Sequence, residues 1–164
     1  LRTRSLLLTA LFAALTAVGA FLRVPVGPIS FTLQVFFTCT AGLLLGPWYG
    51  GAAAGLGSML ADLLSYPHYA PGTLVIKFTM AVAAAYIFEA MRERSGKLAA
   101  QLIGGAAAEI IMVLGYFGYA SLWLGKGLAA AASIPGNLVQ GVFGIAAGIA
   151  VYAVLDRSHV LARA

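Results

Sequence analysis

The sequence predicts an all-α integral membrane protein: a compact bundle of six transmembrane helices, both termini cytoplasmic, in one domain over residues 1–164. Three observations predict it. Of 164 residues, 62% are hydrophobic and 9% charged, whereas soluble domains run near a quarter charged. The apolar residues fall into runs long enough to cross a bilayer. The ten Lys and Arg residues stand almost entirely in short clusters between those runs. The net charge of +5 is therefore topological. It implies a lipid bilayer as surroundings and no nucleic-acid partner.

A span needs roughly 20 apolar residues, fewer when the helix is short or tightly packed. Six such segments are expected, at residues 5–22, 31–45, 49–64, 73–90, 98–124 and 135–155. The first follows Arg2 and Arg4 and contains the small residues Val18, Gly19 and Ala20, as a cleaved signal peptide would. It reaches Leu22 and further spans follow, so it is read as the first transmembrane helix. The second and third are short and meet at Gly46-Pro47, a tight hairpin where proline ends one helix and begins the next. A tilted or partly re-entrant second segment is the alternative.

The cations orient the bundle. With the N-terminus inside, the inner flanks hold Arg2, Arg4, Arg92, Arg94, Lys97, Arg157 and Arg163, and the outer flanks only Arg23 and Lys126. Both termini thus lie inside, in what would be a prokaryotic plasma membrane. The longer connections, at 24–30, 65–72 and 125–133, face outward. The turns at 46–48 and 91–97 face inward.

Small residues recur at four-residue spacing: Ala10 with Ala14 and Ala13 with Ala17 on the first helix, Gly51 with Gly55, and Gly144 with Gly148. Such pairs let helix backbones approach closely in lipid. For the glycine pairs, packing within the bundle is the expectation. The alanine face of the first helix would serve equally for docking a second membrane protein.

Polar residues inside the spans are few, and function is sought there because an intramembrane charge is costly. Lys77 lies about one turn below the outer end of the fourth span. Glu109 lies near the middle of the fifth, with Met112, Tyr116 and Tyr119 following on one stripe. Asn137 and Gln140 share a face of the sixth. Thr32 and Gln34 open the second, Asp62 closes the third, and His68 and Tyr69 stand in the loop that follows. All favour the outer half, the make-up of a small-molecule pocket. The competing reading is structural. Lys77 and Glu109 could form a buried ion pair, although a depth difference of roughly 10 Å strains direct contact. Asn137 and Gln140 could join helices, Asp62 could cap its loop, and His68 could be solvated.

Catalytic chemistry is missing. The chain has no GxSxG, HExxH or Walker A pattern. One cysteine, Cys39, and two histidines, His68 and His159, build neither a disulfide nor a metal site. No enzyme, cofactor or metal is expected, and any energised transport draws on a partner or an ion gradient.

Several segments together resemble the substrate-binding S components of energy-coupling factor (ECF) vitamin transporters. They are TALFAALTAVGA at 9–20, AGLLLGPWYGGAAAGLGSMLADLL at 41–64, YPHYAPGTLVIKFTMA at 66–81 and IPGNLVQGVFGIAAG at 134–148. The resemblance covers nearly the whole chain. It implies a subunit that captures a water-soluble vitamin or precursor from outside and associates with a membrane T component and two ATPases. It also implies a pocket near the outer face, built mainly by helices 4–6 and the outer loops, and docking of the T component on Ala10, Ala13, Ala14 and Ala17. Candidate ligand contacts are Lys77, Glu109, Tyr116, Tyr119, Asn137, Gln140, Gln34, His68 and Tyr69. PVGPISFTLQ at 25–34 and LLLGP at 43–47 resemble the biotin branch. APGTLVIK and IPGNLVQG look more like members assigned to riboflavin, hydroxymethylpyrimidine, pantothenate or pyridoxine. Two readings compete with this one: an autonomous ion-coupled transporter using Lys77 and Glu109 as a relay, and a membrane enzyme or assembly factor.

Overall fold

A computed structural model of the chain describes residues 2–26 and 29–158. The order is α1 (Arg2–Phe21), β1 (Arg23–Val26), β2 (Ile29–Thr32), α2 (Gln34–Ser65), α3 (Ala70–Ser95), α4 (Lys97–Gly118), a π-helical turn (Tyr119–Trp123), a 3₁₀ segment (Gly127–Ser133) and α5 (Ile134–Arg157). His159 and Arg163, assigned from sequence to the cytoplasmic tail, lie outside the described residues.

Four segments are long and apolar enough to cross a membrane singly: Arg2–Phe21, Ala70–Ser95, Lys97–Trp123 and Gly127–Arg157. Five α-helices are assigned where six were expected, and the difference lies inside α2. Gly46 adopts φ 74° and ψ −175°, which is not helical, and Pro47 follows it. In one unbroken helix, Gly42 and Gly50 would stand about 12 Å apart along the axis. Instead a Cβ added to Gly50 would come within 2.6 Å of the Gly42 Cα. The two halves therefore fold back on each other, and a positive φ of this kind favours glycine.

Two connections differ from expectation. The segment read as a loop at 24–30 belongs to an antiparallel β-hairpin, paired Arg23 with Thr32 through Val26 with Ile29. The fifth span does not continue as an α-helix to 124. It widens into the π turn after Gly118 and reverses through Gly125 and Gly127, both at positive φ. Helix starts follow the sequence rules: Pro71 and Pro135 occupy the first turns of α3 and α5, where a missing N–H costs nothing. The α3–α4 turn is made by Gly96 at φ 83°.

Small residues let the helices close on one another. Gly57 of α2 lies against the Ala13 carbonyl and Thr16 of α1. Gly51 and Gly55 lie against Val82, Leu74 and Phe78 of α3, Gly104 of α4 meets the Ala84 carbonyl of α3, and Gly148 of α5 faces Cys39 of α2. The core is accordingly rich in alanine, with Ala41, Ala53, Ala70 and Ala100 at most 1% exposed. Large apolar side chains point outward instead, among them Leu7, Val75, Leu114, Val142 and Val154. That inversion suits a bundle solvated by lipid, in which helix association rests on close backbone packing.

Candidate functional site

One end of the bundle collects the hairpin, the 66–69 loop and the 119–133 connection. There the helix ends surround a cavity of about 170 Å³ lined by Ala20, Gln34, Ser58, Ala61, Asp62, Thr73, Lys77, Tyr116, Asn137 and Gln140. These come from all five α-helices, and both halves of α2 contribute. Half of them, Thr73, Lys77, Tyr116, Asn137 and Gln140, lie on the fourth to sixth expected spans, and the other half on the first three. Ala20, Ser58, Ala61 and Thr73 were not singled out from sequence, because small and hydroxyl residues in Ala/Gly-rich helices carry no distinguishing spacing.

The wall is wired by hydrogen bonds. Tyr116 OH donates to Thr73 Oγ1 at 3.1 Å, and Thr73 Oγ1 donates in turn to Asp62 Oδ2. The Asp62 side chain thus reaches across to α3. Its main-chain carbonyl closes the helix, accepting from the Tyr66 N–H at 2.7 Å. Across the cavity Gln34 Nε2 donates to Ser58 Oγ at 2.7 Å, joining the two halves of α2.

Lys77 forms no ion pair; those found among the described residues are Arg92–Glu93 and Lys97–Asp156. The Lys77 Nζ donates to Met112 Sδ at 3.3 Å and lies 5.9 Å from the Tyr116 ring centroid. A thioether is a weak acceptor and an ammonium has three donors. The cavity wall therefore carries a cation that makes no ion pair, with the Asp62 carboxyl held by Thr73 in the same wall.

Glu109 leaves the stripe it was expected to share. Met112, Tyr116 and Tyr119 turn toward α3, through Lys77, Thr73 and Gly72 respectively. The Glu109 carboxyl instead lies on Gly141 of α5, in the space a Cβ there would fill. Its Oε1 is buried without a hydrogen-bond partner, as is Nδ2 of Asn137, one turn from Gly141. A buried polar atom left unpaired costs roughly 1–3 kcal/mol.

Tyr119, His68 and Tyr69 do not line the cavity; they roof it. Tyr119 OH donates to the His68 carbonyl at 2.8 Å, and Lys126 Nζ donates to Tyr69 OH at 2.9 Å. The rings of His68 and Tyr69 lie 4.8 Å apart, and Tyr69 lies 6.4 Å from Tyr116. Gly72 gives Tyr119 its seat, since a Cβ there would come within 2.7 Å of the ring.

The alanines of α1 separate onto two faces. Ala13 is buried against Gly57, so it belongs to the α1–α2 interface and not to an outward docking face. Ala10 and Ala14 are exposed, in line with Leu7, Val18 and Phe21, and Ala17 is half-buried.

A family profile described as "ECF-type riboflavin transporter, S component" matches residues 1–157. The chain belongs to the S components of ECF-type transporters. Its curated relatives include the "Biotin transporter BioY" of Thermotoga maritima, 32% identical over 125 residues, covering 70% of this chain and 73% of that one. A Pyrococcus woesei protein described only as an "Uncharacterized protein in gap 3'region" is 40% identical over 106 residues, covering 65% and 68%. The solved S component of a bacterial ECF transporter superposes with a TM-score of 0.67 over 96% of this chain and 98% of that one, at 17% identity. That structural likeness is one of fold. This S component is therefore a multi-pass membrane protein of a transport family.

Proposed function

We propose that this S component captures a biotin-class vitamin in the polar cavity and passes it inward with a T component and two ATPases. The observation that carries the substrate reading is Lys77, a cavity cation that makes no ion pair. Biotin brings a carboxylate to meet it. Its ureido group brings donors and an acceptor for a wall of carboxyl, amide and hydroxyl groups.

The membrane placement follows the positive-inside rule. Arg2 and Arg4 precede α1, Arg92 and Arg94 close α3, Lys97 opens α4 and Arg157 closes α5, all at the end away from the cavity. With that end inside the cell, the fold-back at Gly46 makes six crossings, both termini are cytoplasmic, and the cavity opens outward. Biotin transport is the printed role of the Thermotoga relative. Riboflavin is the competing ligand, favoured by the description of the matching family.

Equilibrium titration of the purified chain with biotin and with riboflavin tests the reading. Submicromolar biotin binding, with riboflavin much weaker, is expected; the reverse order overturns the substrate, and binding of neither overturns the function. For the partner, tryptophan at both Ala10 and Ala14 is expected to abolish uptake in cells supplying the T component and ATPases while leaving biotin binding intact. Lost binding in that variant would show that this face belongs to the site. Uptake by vesicles lacking any ATPase would favour the ion-coupled transporter.

A further inference from the structure

Two groups meet at the cavity wall, and a third nearby turns away. Lys77 Nζ rests on Met112 Sδ, and Met112 stands one helical turn from Glu109 on α4, within a side chain's reach. Glu109 nevertheless turns the other way, onto Gly141, and makes no ion pair with Lys77. It does so although Oε1 finds no hydrogen-bond partner there. The Lys77 ammonium on α3 and the Glu109 carboxyl on α4 attract each other across the bundle, so the carboxyl keeps its seat on α5 against that pull. The missing side chain at position 141 makes that seat. Glu109 fills the volume of a Cβ that is not there, and any side chain at 141 would expel it.

We infer that Gly141 is a positioning residue: by seating the Glu109 carboxyl on α5 it keeps Glu109 out of an ion pair with Lys77, and so sets the preference of the cavity for an anionic ligand over a neutral one. This rests on the proposed function, in which Lys77 meets the vitamin carboxylate. Asn137, one turn along α5 from the seat, lines the cavity.

The experiment compares binding of biotin and of biotinamide, its neutral amide, to four purified chains: native, Gly141→Ala, Glu109→Gln and the double variant. The native chain prefers the carboxylate. In Gly141→Ala the displaced carboxyl pairs with Lys77, and biotin affinity falls by about tenfold to a hundredfold, the loss of one charge-assisted contact, while biotinamide changes little. Adding Glu109→Gln to Gly141→Ala restores most of the biotin affinity, which a merely structural cavity or clash would not do. Glu109→Gln alone, which leaves the glycine in place, keeps the native ratio of the two affinities.

A Gly141→Ala chain that weakens both ligands equally, or a double variant without recovery, overturns the inference. If Gly141→Ala yields no folded protein, Glu109→Gln decides alone. A ratio shifted about tenfold toward biotin would mean that Glu109 already competes for Lys77 in the native chain, against the inference; an unchanged ratio upholds it. A native chain that binds both probes equally removes the role of Lys77 and the inference with it. A native chain that prefers biotin while its variants behave otherwise leaves the proposed function standing and removes the inference alone.

Discussion

The two ends of the bundle treat their lysines in opposite ways. At the charged end Lys97 donates to both carboxylate oxygens of Asp156 at 3.1 Å and lies 5.7 Å from the Tyr152 ring centroid. The α3–α4 turn is thereby tied to the last turn of α5. At the cavity end Lys77 has a thioether and a ring 5.9 Å away, and no ion pair. Lys97 is exposed, where an ion pair adds little. Lys77 lies where a charge is costly unless paired. The end that could spare its ion pair has one, and the end that needs one is left open. On the proposed function, the vitamin carboxylate arrives at that open position.

The contrast can be broken by mutation. Lys77→Ala is expected to have the largest effect: biotin affinity falls by about tenfold to a hundredfold, as for one charge-assisted contact, and thermal stability in detergent holds or rises. Titration and a melting curve check it. Collapse of the fold with unchanged affinity in the surviving fraction would make Lys77 structural and erase the contrast.

Tyr116→Phe comes next. It removes the donor to Thr73 at the head of the chain that ends on Asp62, so biotin affinity should fall by about fivefold, for a contribution near 1 kcal/mol. Ligand binding measured beside Thr73→Ala sharpens this. Equal losses, not additive in the double variant, are expected of one connected network. Lys97→Ala should do least, leaving biotin affinity native and the melting curve close to native. A loss of binding there would show that the two ends are coupled.

Some of this was legible along the chain. The apolar runs, the cation clusters and the helix-starting prolines needed only composition and local rules. The same holds for Lys77, Tyr116, Asn137, Gln140 and Gln34, picked out because polar residues in apolar runs are rare and all five then line one cavity. Asp62 was noted as a loop cap, and the structure gives it a second role through Thr73. Other features were not legible. Whether 24–30 is loop or hairpin depends on pairing across a turn, and α2 reads as two helices in sequence but as one broken element in space. Tyr119, His68 and Tyr69 were expected at the ligand and are not among the residues that line the cavity. The reason is that their partners, a main-chain carbonyl and Lys126, lie in separate loops.

The sequence by itself determined the solvent, the crossing-length segments and the side on which polar groups gather. Those follow from the cost of polar and charged groups in hydrocarbon, which each residue incurs alone. Only the tertiary structure decided which polar groups meet. The stripe from Glu109 to Tyr119 has a single periodicity, yet Met112, Tyr116 and Tyr119 face α3 while Glu109 turns onto α5. Nothing in α4 separates them. A glycine thirty-two positions later in the chain does, because only there does the packing leave space for a carboxyl group.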